Sequence, residues 1–445
     1  MHSFSTRASS PVVVLFAALA LGACSDQPVT TEARSSLRPH LAAGDVLLVT
    51  NTTDNNPGSL RLAIRQATGG EIIRFDPSLA GATITLDSTL VVLKQVTIEG
   101  AADRGITIDG NRKGTVFAVL EGATFVNTTI TGGKSSNTGD LFAGAIVAHG
   151  PLVLDHSTLT GNEGAAGALR GDDMTLINST VAFNASSAEV GAIEYGRPGT
   201  FTLINSTVSR NSGGTGLALF GTAVTPTVTL RNSIISNNAL GSCRGGTIGF
   251  VYEGRNISSD NSCGNATVID IVDPLVGELA DNGGPTKTLA LDRNSPAINR
   301  GLNCSVTVDQ RYVQREAACD LGAFEFIFTT IALNVNSGAQ VEPKAGTVVM
   351  SGTVKCSRGE TFDLRVSLTQ DQRARRSPTL VQASRTLPIV CQTSVQPWIV
   401  LLTPPSGQAF ENGAAVASAQ TVNIAVGVTP ATTTKDVQLA WTKKN

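Results

Sequence analysis

Few positions in this chain bring together residue types that could do acid–base work. Arg170, the turn Gly171-Asp172-Asp173 and Glu194 are the most concentrated set. Two carboxyl groups held about 5 Å or about 6.5–9.5 Å apart would serve glycosidic cleavage. A cation beside carboxylates that hold Ca²⁺ would serve proton abstraction next to a uronate. Arg170, Asp172, Asp173 and Glu194 are therefore the candidate catalytic residues, and Ca²⁺ is the one cofactor that this alternative would call for; otherwise no cofactor is expected. The plainer reading of Arg170 and Glu194 is a surface ion pair, worth under about 1 kcal/mol. Aspartates in turns ordinarily bond their own backbone. The chain has no Ser/His/Asp set and no CxxC or Cys/His cluster, and it has only 4 histidines, so no metal site is expected.

A second set stands out by regularity. Asn127, His156, Asn178, Asn205 and Asn232 each sit third in a recurring segment: Phe125-Val-Asn-Thr-Thr-Ile-Thr-Gly-Gly133, Leu154-Asp-His-Ser-Thr-Leu-Thr-Gly-Asn162, Leu176-Ile-Asn-Ser-Thr-Val-Ala-Phe-Asn184, Leu203-Ile-Asn-Ser-Thr-Val-Ser-Arg-Asn211 and Leu230-Arg-Asn-Ser-Ile-Ile-Ser-Asn-Asn238. Stacked at a turn, these amides are expected to bond to the turns above and below, as in the side-chain ladders of stacked β-strands. His156 reads as a variant rung rather than a base. A polar track for a ligand is the functional alternative.

The segments must be positioned by a repeating element. Their first residues are separated by 29, 22, 27 and 27 positions. A period near 26 residues with short alternating strands and no helix fits one turn of a parallel β-helix. Equivalent residues would stack about 4.8 Å apart, so Ile130, Leu159, Val181, Val208 and Ile235 form an inward column. Thr129, Thr158, Thr180, Thr207 and Ile234 form an outward column, as do Val126, Asp155, Ile177, Ile204 and Arg231. Counting three residues on from Gly144, Gly167, Gly191 and Gly216 aligns Val147, Arg170, Glu194 and Leu219. A solenoid must cover its open ends. Ser59 as N-cap and Leu60-Arg-Leu-Ala-Ile-Arg-Gln-Ala67, with helical apolar spacing, supply the N-terminal cover. The cysteine-containing stretch 243–328 is expected to supply the C-terminal one.

Residues 329–445 alternate differently, in segments such as Gly346-Thr-Val-Val-Met-Ser-Gly-Thr-Val-Lys355 and Phe362-Asp-Leu-Arg-Val-Ser-Leu368, which read as antiparallel strands. Trp398 is expected in or near their core. This part carries 11 Lys/Arg against 6 Asp/Glu, whereas 25–328 carries 21 against 29. Neither balance is a nucleic-acid signature. Arg373-Ala-Arg-Arg376 is a basic patch, read as a solvated loop, with contact to an acidic polymer as the alternative.

The N-terminus reads as an export signal. Arg7 precedes the apolar run Pro11–Leu21, and Leu21-Gly22-Ala23-Cys24 follows. The run is too short for a spanning helix, which needs about 20 apolar residues. A cysteine after small residues resembles a lipobox, so 1–24 reads as a lipoprotein signal peptide with Cys24 as the lipidation site, and 25–44 as a flexible tether. The partner implied is a membrane, and the location is the bacterial cell envelope, at the outer membrane or cell surface. Six of the 7 cysteines remain: Cys243, Cys263, Cys304, Cys319, Cys356 and Cys391. They fall into three sequence-local pairs, 243–263, 304–319 and 356–391, the natural bridges among fifteen connectivities, and disulfides persist in an oxidising compartment.

Two stretches add a family resemblance. Pro57-Gly-Ser-Leu-Arg-Leu-Ala-Ile-Arg-Gln-Ala67 with Ile72-Ile-Arg-Phe75 resembles the start of bacterial surface proteins with right-handed parallel β-helix repeats. Asp281-Asn-Gly-Gly-Pro-Thr286, Ser295-Pro-Ala-Ile-Asn-Arg-Gly301, Asp309-Gln-Arg311 and Cys319-Asp-Leu-Gly-Ala-Phe-Glu325 resemble the choice-of-anchor Q domain. That family often has glycine where this chain has Tyr312. The resemblance spans about 45–328 and implies a fold and a surface location, not a reaction. Residues 329–445 resemble small immunoglobulin-like modules. The fold class expected is all-β: a right-handed parallel β-helix over 45–328, then a small immunoglobulin-like β-sandwich over 329–445. The leading functional reading is a non-catalytic binding, adhesion or structural lipoprotein of the envelope, with an extracellular polysaccharide or an envelope protein as partner. The alternative is a β-helix lyase or glycosidase. Few aromatics are present, and both tryptophans lie after residue 329, which weighs against sugar-stacking platforms.

Overall fold

Alternating apolar residues in the repeats build three parallel sheets that wrap one core. In the computed structural model, nine strands from Val46–Val49 to Gly249–Glu253 form the first sheet. Seven strands, Leu90–Val92 to Cys243–Arg244, form the second, and nine, Thr83–Thr85 to Asp270–Ile271, form the third. The structure describes residues 44–135, 142–187, 191–195, 199–219, 227–244, 249–264, 269–372, 379–425 and 427–442. Cys24, most of the tether and Arg373–Arg376 lie outside them.

The register follows the sequence columns. Ile130, Leu159, Val181, Val208 and Ile235 stand opposite one another and are all fully buried. Each contributes about 1.5–3 kcal/mol of apolar burial. On the first sheet Ile98, Phe125, Leu154, Leu176, Leu203 and Leu230 form the matching inward column. One alignment shifts by a residue: Glu194 stands opposite Ala218, not Leu219. Glycine positions alone do not fix register, because loop lengths between them vary.

The N-terminal helix spans Leu60–Gln66 with Ser59 as its N-cap. It buries Leu60, Ala63 and Ile64 in the solenoid core. Arg61 locks it in place: its guanidinium donates to Asp54 and to the carbonyls of Ser88 and Thr89.

The stretch 243–328 divides, and this corrects the expectation that it forms the end cover. The described residues 243–244, 249–264 and 269–273 close the last turn, with Cys243–Cys263 across it and Arg255 paired to Asp270 at 2.7 Å. Residues 274–328 instead turn back and lie along the flank, over the third sheet. Thr158 donates to Lys287 O, Thr286 to His156 O and Ala323 N–H to Thr207 Oγ1. The outward column Thr158, Thr180 and Thr207 is therefore buried. Hydroxyls on that face are satisfied by this strap rather than by water.

The C-terminal region is a β-sandwich. Val348–Cys356 pairs with Ile331–Val335 on one edge and Gln396–Leu402 on the other. Gly338–Val341 crosses over to run parallel to Thr432–Trp441, which continues into Gly413–Val422, Glu360–Asp371 and Leu380–Cys391. Trp398 is in the core; a Cβ at Gly352 would stand 2.2 Å from its ring, so the indole needs a glycine beside it. The other two disulfides are Cys304–Cys319 in the strap and Cys356–Cys391 in the sandwich.

Candidate functional site

Arg170 and Glu194 are directly opposed on neighbouring strands of the second sheet. Their side chains meet at 3.4 Å, and Arg170 also lies 5.2 Å from the centre of the Phe142 ring. Burial pushes the Glu194 carboxyl up, and Arg170 opposes this. A half-buried acid with a raised pKa is the type of group that serves as a general acid. Asp173 is engaged elsewhere. Asp173 accepts the backbone N–H of Thr200 at 2.8 Å and its hydroxyl at 3.3 Å, so it ties its turn to the next. Asp172 and Asp173 together lie near the Tyr195 hydroxyl, which burial first, then both carboxylates, push up. The four candidates thus form one ion pair and a separate acidic turn. Among the described residues, no group of three or more His, Cys, Asp or Glu is placed to hold a metal ion.

Phe142 and Tyr195 were missed by sequence reasoning. Tyr195 faces inward, stacked 6.3 Å from Phe201, and its place next to outward Glu194 in an alternating strand could have signalled it. Phe142 gives no local signal.

The asparagine column is a turn, as expected, but not an amide ladder. Asn127, His156, Asn178, Asn205 and Asn232 all have φ between 45° and 56°, the left-handed region that asparagine tolerates best after glycine. Their side chains face the strap. Tyr312 donates to Asn127 Oδ1 at 2.7 Å, Arg315 donates to Asn178 Oδ1 at 3.1 Å, and Asn232 Nδ2 donates to Leu302 O at 3.0 Å. Asn205 Nδ2 lies 3.5 Å from Asp320 O. The amide ladder is six residues further along each segment. Asn162 donates to Asn184, Asn184 to Asn211 and Asn211 to Asn238, at 2.9–3.0 Å. A serine ladder runs beside the turn: the N–H groups of Thr128, Ser157, Ser179 and Ser206 donate to Ser157, Ser179, Ser206 and Ser233 Oγ, each at 3.2 Å. In a left-handed residue the side chain leaves the stack, whereas the ninth position points inward, where only another amide can satisfy it.

His156 belongs to this seam. Its Nδ1 is 2.6 Å from Asp155 and its Nε2 is 3.4 Å from Asn178 Nδ2. Asn178 is oriented by Arg315 and by Val308 O, so Nε2 accepts and Nδ1 carries the proton toward Asp155. Its ring stacks on Tyr312 at 4.2 Å.

The motifs Asp309-Gln-Arg311 and Cys319–Glu325 build the strap's buried centre. Asp309 accepts from Arg311 at 2.6 Å and from Glu325 N–H at 2.9 Å. Arg315 donates to Glu325 at 3.0 Å and to the carbonyls of Val308, Asp320 and Gly322. Gln310 bridges Thr158, Thr180 and Thr286. Asp320 accepts backbone N–H groups of Asn299 and Phe326. These residues fasten the strap to the solenoid.

No family model matches the chain, and no curated protein matches it. Among solved structures, the chain is similar to the tailspike protein of Acinetobacter phage vB_ApiP_P1, at 13% identity and a TM-score of 0.27, with 85% of this chain and 84% of that chain covered. It is also similar to the chitinase ChiW from Paenibacillus sp. str. FPU-7, at 11% identity and a TM-score of 0.15, with 88% of this chain covered. The match spans 24% of that chitinase's length.

Proposed function

We propose that this chain is an exported lipoprotein of the bacterial envelope, anchored through Cys24, whose solenoid is a non-catalytic binding or structural body. The observation that carries this reading is the use made of the candidate chemistry. Arg170 is paired with Glu194, and Asp173 is bound to Thr200; each joins adjacent turns, which is a structural use of charge. The three disulfides support folding in an oxidising compartment. The four motifs that resemble choice-of-anchor Q domains all fall in the strap, and it is that resemblance of sequence on which we place the chain with those surface proteins. The outer face of the first sheet, where Val153, Thr175, Thr202 and Thr229 are partly exposed, is the surface we assign to an extracellular polysaccharide or an envelope protein.

The raised pKa of Glu194 beside Arg170 favours a second reading, a polysaccharide lyase or glycosidase. Incubation of the mature chain with acidic and neutral polysaccharides, with and without Ca²⁺, separates the two. We expect no new unsaturated or reducing ends. Turnover that is lost in Arg170→Ala and Glu194→Gln would replace the binding reading with the enzymatic one.

A further inference from the structure

The strap buries more negative than positive charge. Asp309, Asp320 and Glu325 are all within 1% of full burial, and the cations bonded into the same network are Arg311 and Arg315, whose side chains are 6% and 1% exposed. Asp309 takes Arg311 and Glu325 takes Arg315. Among the described residues, the Asp320 carboxylate receives only N–H groups, from Asn299 at 2.7 Å and Phe326 at 2.5 Å. With every carboxylate ionised, the cluster would hold one buried charge more than its guanidinium partners balance, which is strongly unfavourable in a buried site. A single proton removes that charge.

The surrounding contacts make the strap separable here. From the solenoid, the cluster is faced by the amides of Asn178 and Asn205. The neighbouring seam is made by the imidazole of His156, with Asp155 behind it, against Tyr312, and by the hydroxyls of Thr158, Thr180 and Thr207. Within the strap, Glu316 supplies its N–H to Glu325. This seam is polar. The apolar grip lies on either side of residues 299–318: Val276, Leu289, Leu291 and Ala297 before them and Leu321 and Phe324 after them share one buried cluster with Ala182, Ile234 and Ile257.

We propose that residues 299–318 are a proton-held part of the strap: they lie closed over the solenoid's amide and hydroxyl columns while the Asp309, Asp320 and Glu325 cluster keeps one proton, and they lift when it is lost. Lifting uncovers Asn178 and Thr180, which bond Arg315 and Gln310 of this segment. Asp320 is the group that holds the proton. Burial first, then the Glu325 carboxylate, push it up to about 7 from 3.8, against the two N–H donors and Arg315. Burial also pushes Glu325 up, with the same sign. An acid with a raised folded pKa favours closure fully below its ordinary range and loses that contribution as pH rises through about 7.

Hydrogen exchange of the full chain, expressed as protection factors, tests this. Between pH 6 and pH 8 we expect protection across 299–318 to fall about tenfold, with 146–230 and 276–291 unchanged. Asp320→Asn should leave protection in 299–318 equal at the two pH values. Wild-type protection that stays flat across 299–318, or that falls equally in 146–230, would overturn the proposal, and neither result depends on the variant folding.

Discussion

At the scale of single residues, two departures from pattern meet in space. His156 stands where other turns carry asparagine, and Tyr312 stands where the resembled family often has glycine. Tyr312 has φ 65°, a conformation that costs a bulky residue about 1–2 kcal/mol and explains why glycine suits the position. The stack on His156 returns about 0.5–1.5 kcal/mol, and the hydroxyl bond to Asn127 about 1 kcal/mol. Each departure is therefore intelligible only with the other. We expect Tyr312→Phe to destabilise by about 1 kcal/mol in urea unfolding. Tyr312→Gly should also destabilise, because Asn127 Oδ1 and the His156 ring both lose their cover. A glycine variant more stable than wild type would show that backbone strain outweighs the stack.

At the scale of elements, stacking is secured by what each turn donates to the next. Asn184 is 1% exposed. Its amide donates to Asn211 Oδ1, Leu159 O and Ala182 O, and its Oδ1 accepts from the backbone and side chain of Asn162. Asn184→Ala leaves several buried groups unpaired and should cost at least about 3 kcal/mol of solenoid stability. Asn178→Ala should instead act on the strap, because Asn178 Oδ1 accepts from Arg315 and its Nδ2 donates to Val308 O. Exchange mapping distinguishes the two. Solenoid amides should lose protection in the first variant and strap amides in the second; the reverse pattern would invalidate the assignment of the two columns.

At the scale of the molecule, the chain is a solenoid closed by a helix at one end, bound along one flank by its own strap and continued by a sandwich. Thr329 N–H donates to Gly427 O, and Arg293 approaches Glu360 at 3.5 Å, so the strap's exit is tied to the sandwich. No described helix is long and apolar enough to cross a membrane. The proposed attachment is Cys24, and Cys24→Ser should move the protein from membrane to soluble fractions of its host. A variant that stays with the membrane would remove the anchor from this account.

The sequence by itself determined the repeat, the inward columns, the capping helix and the three cysteine pairs. Each depends on local periodicity or on partners close along the chain: Leu159 against Val181, Ser59 against Leu62, Cys304 against Cys319. It also marked Asn127 through Asn232 as a turn, since few residues tolerate that backbone. Only the tertiary structure decided which asparagines bond to each other, because strand alternation, left-handed turns and cover by a distant segment together aim the side chains. Tyr312 lies 185 residues from Asn127, and Gln310 lies 152 from Thr158. At such separations a polar column reads the same whether water, a ligand or the chain's own strap will cover it. The same holds for Arg170, Asp173 and Glu194, whose types do not say which groups they will meet on the next turn.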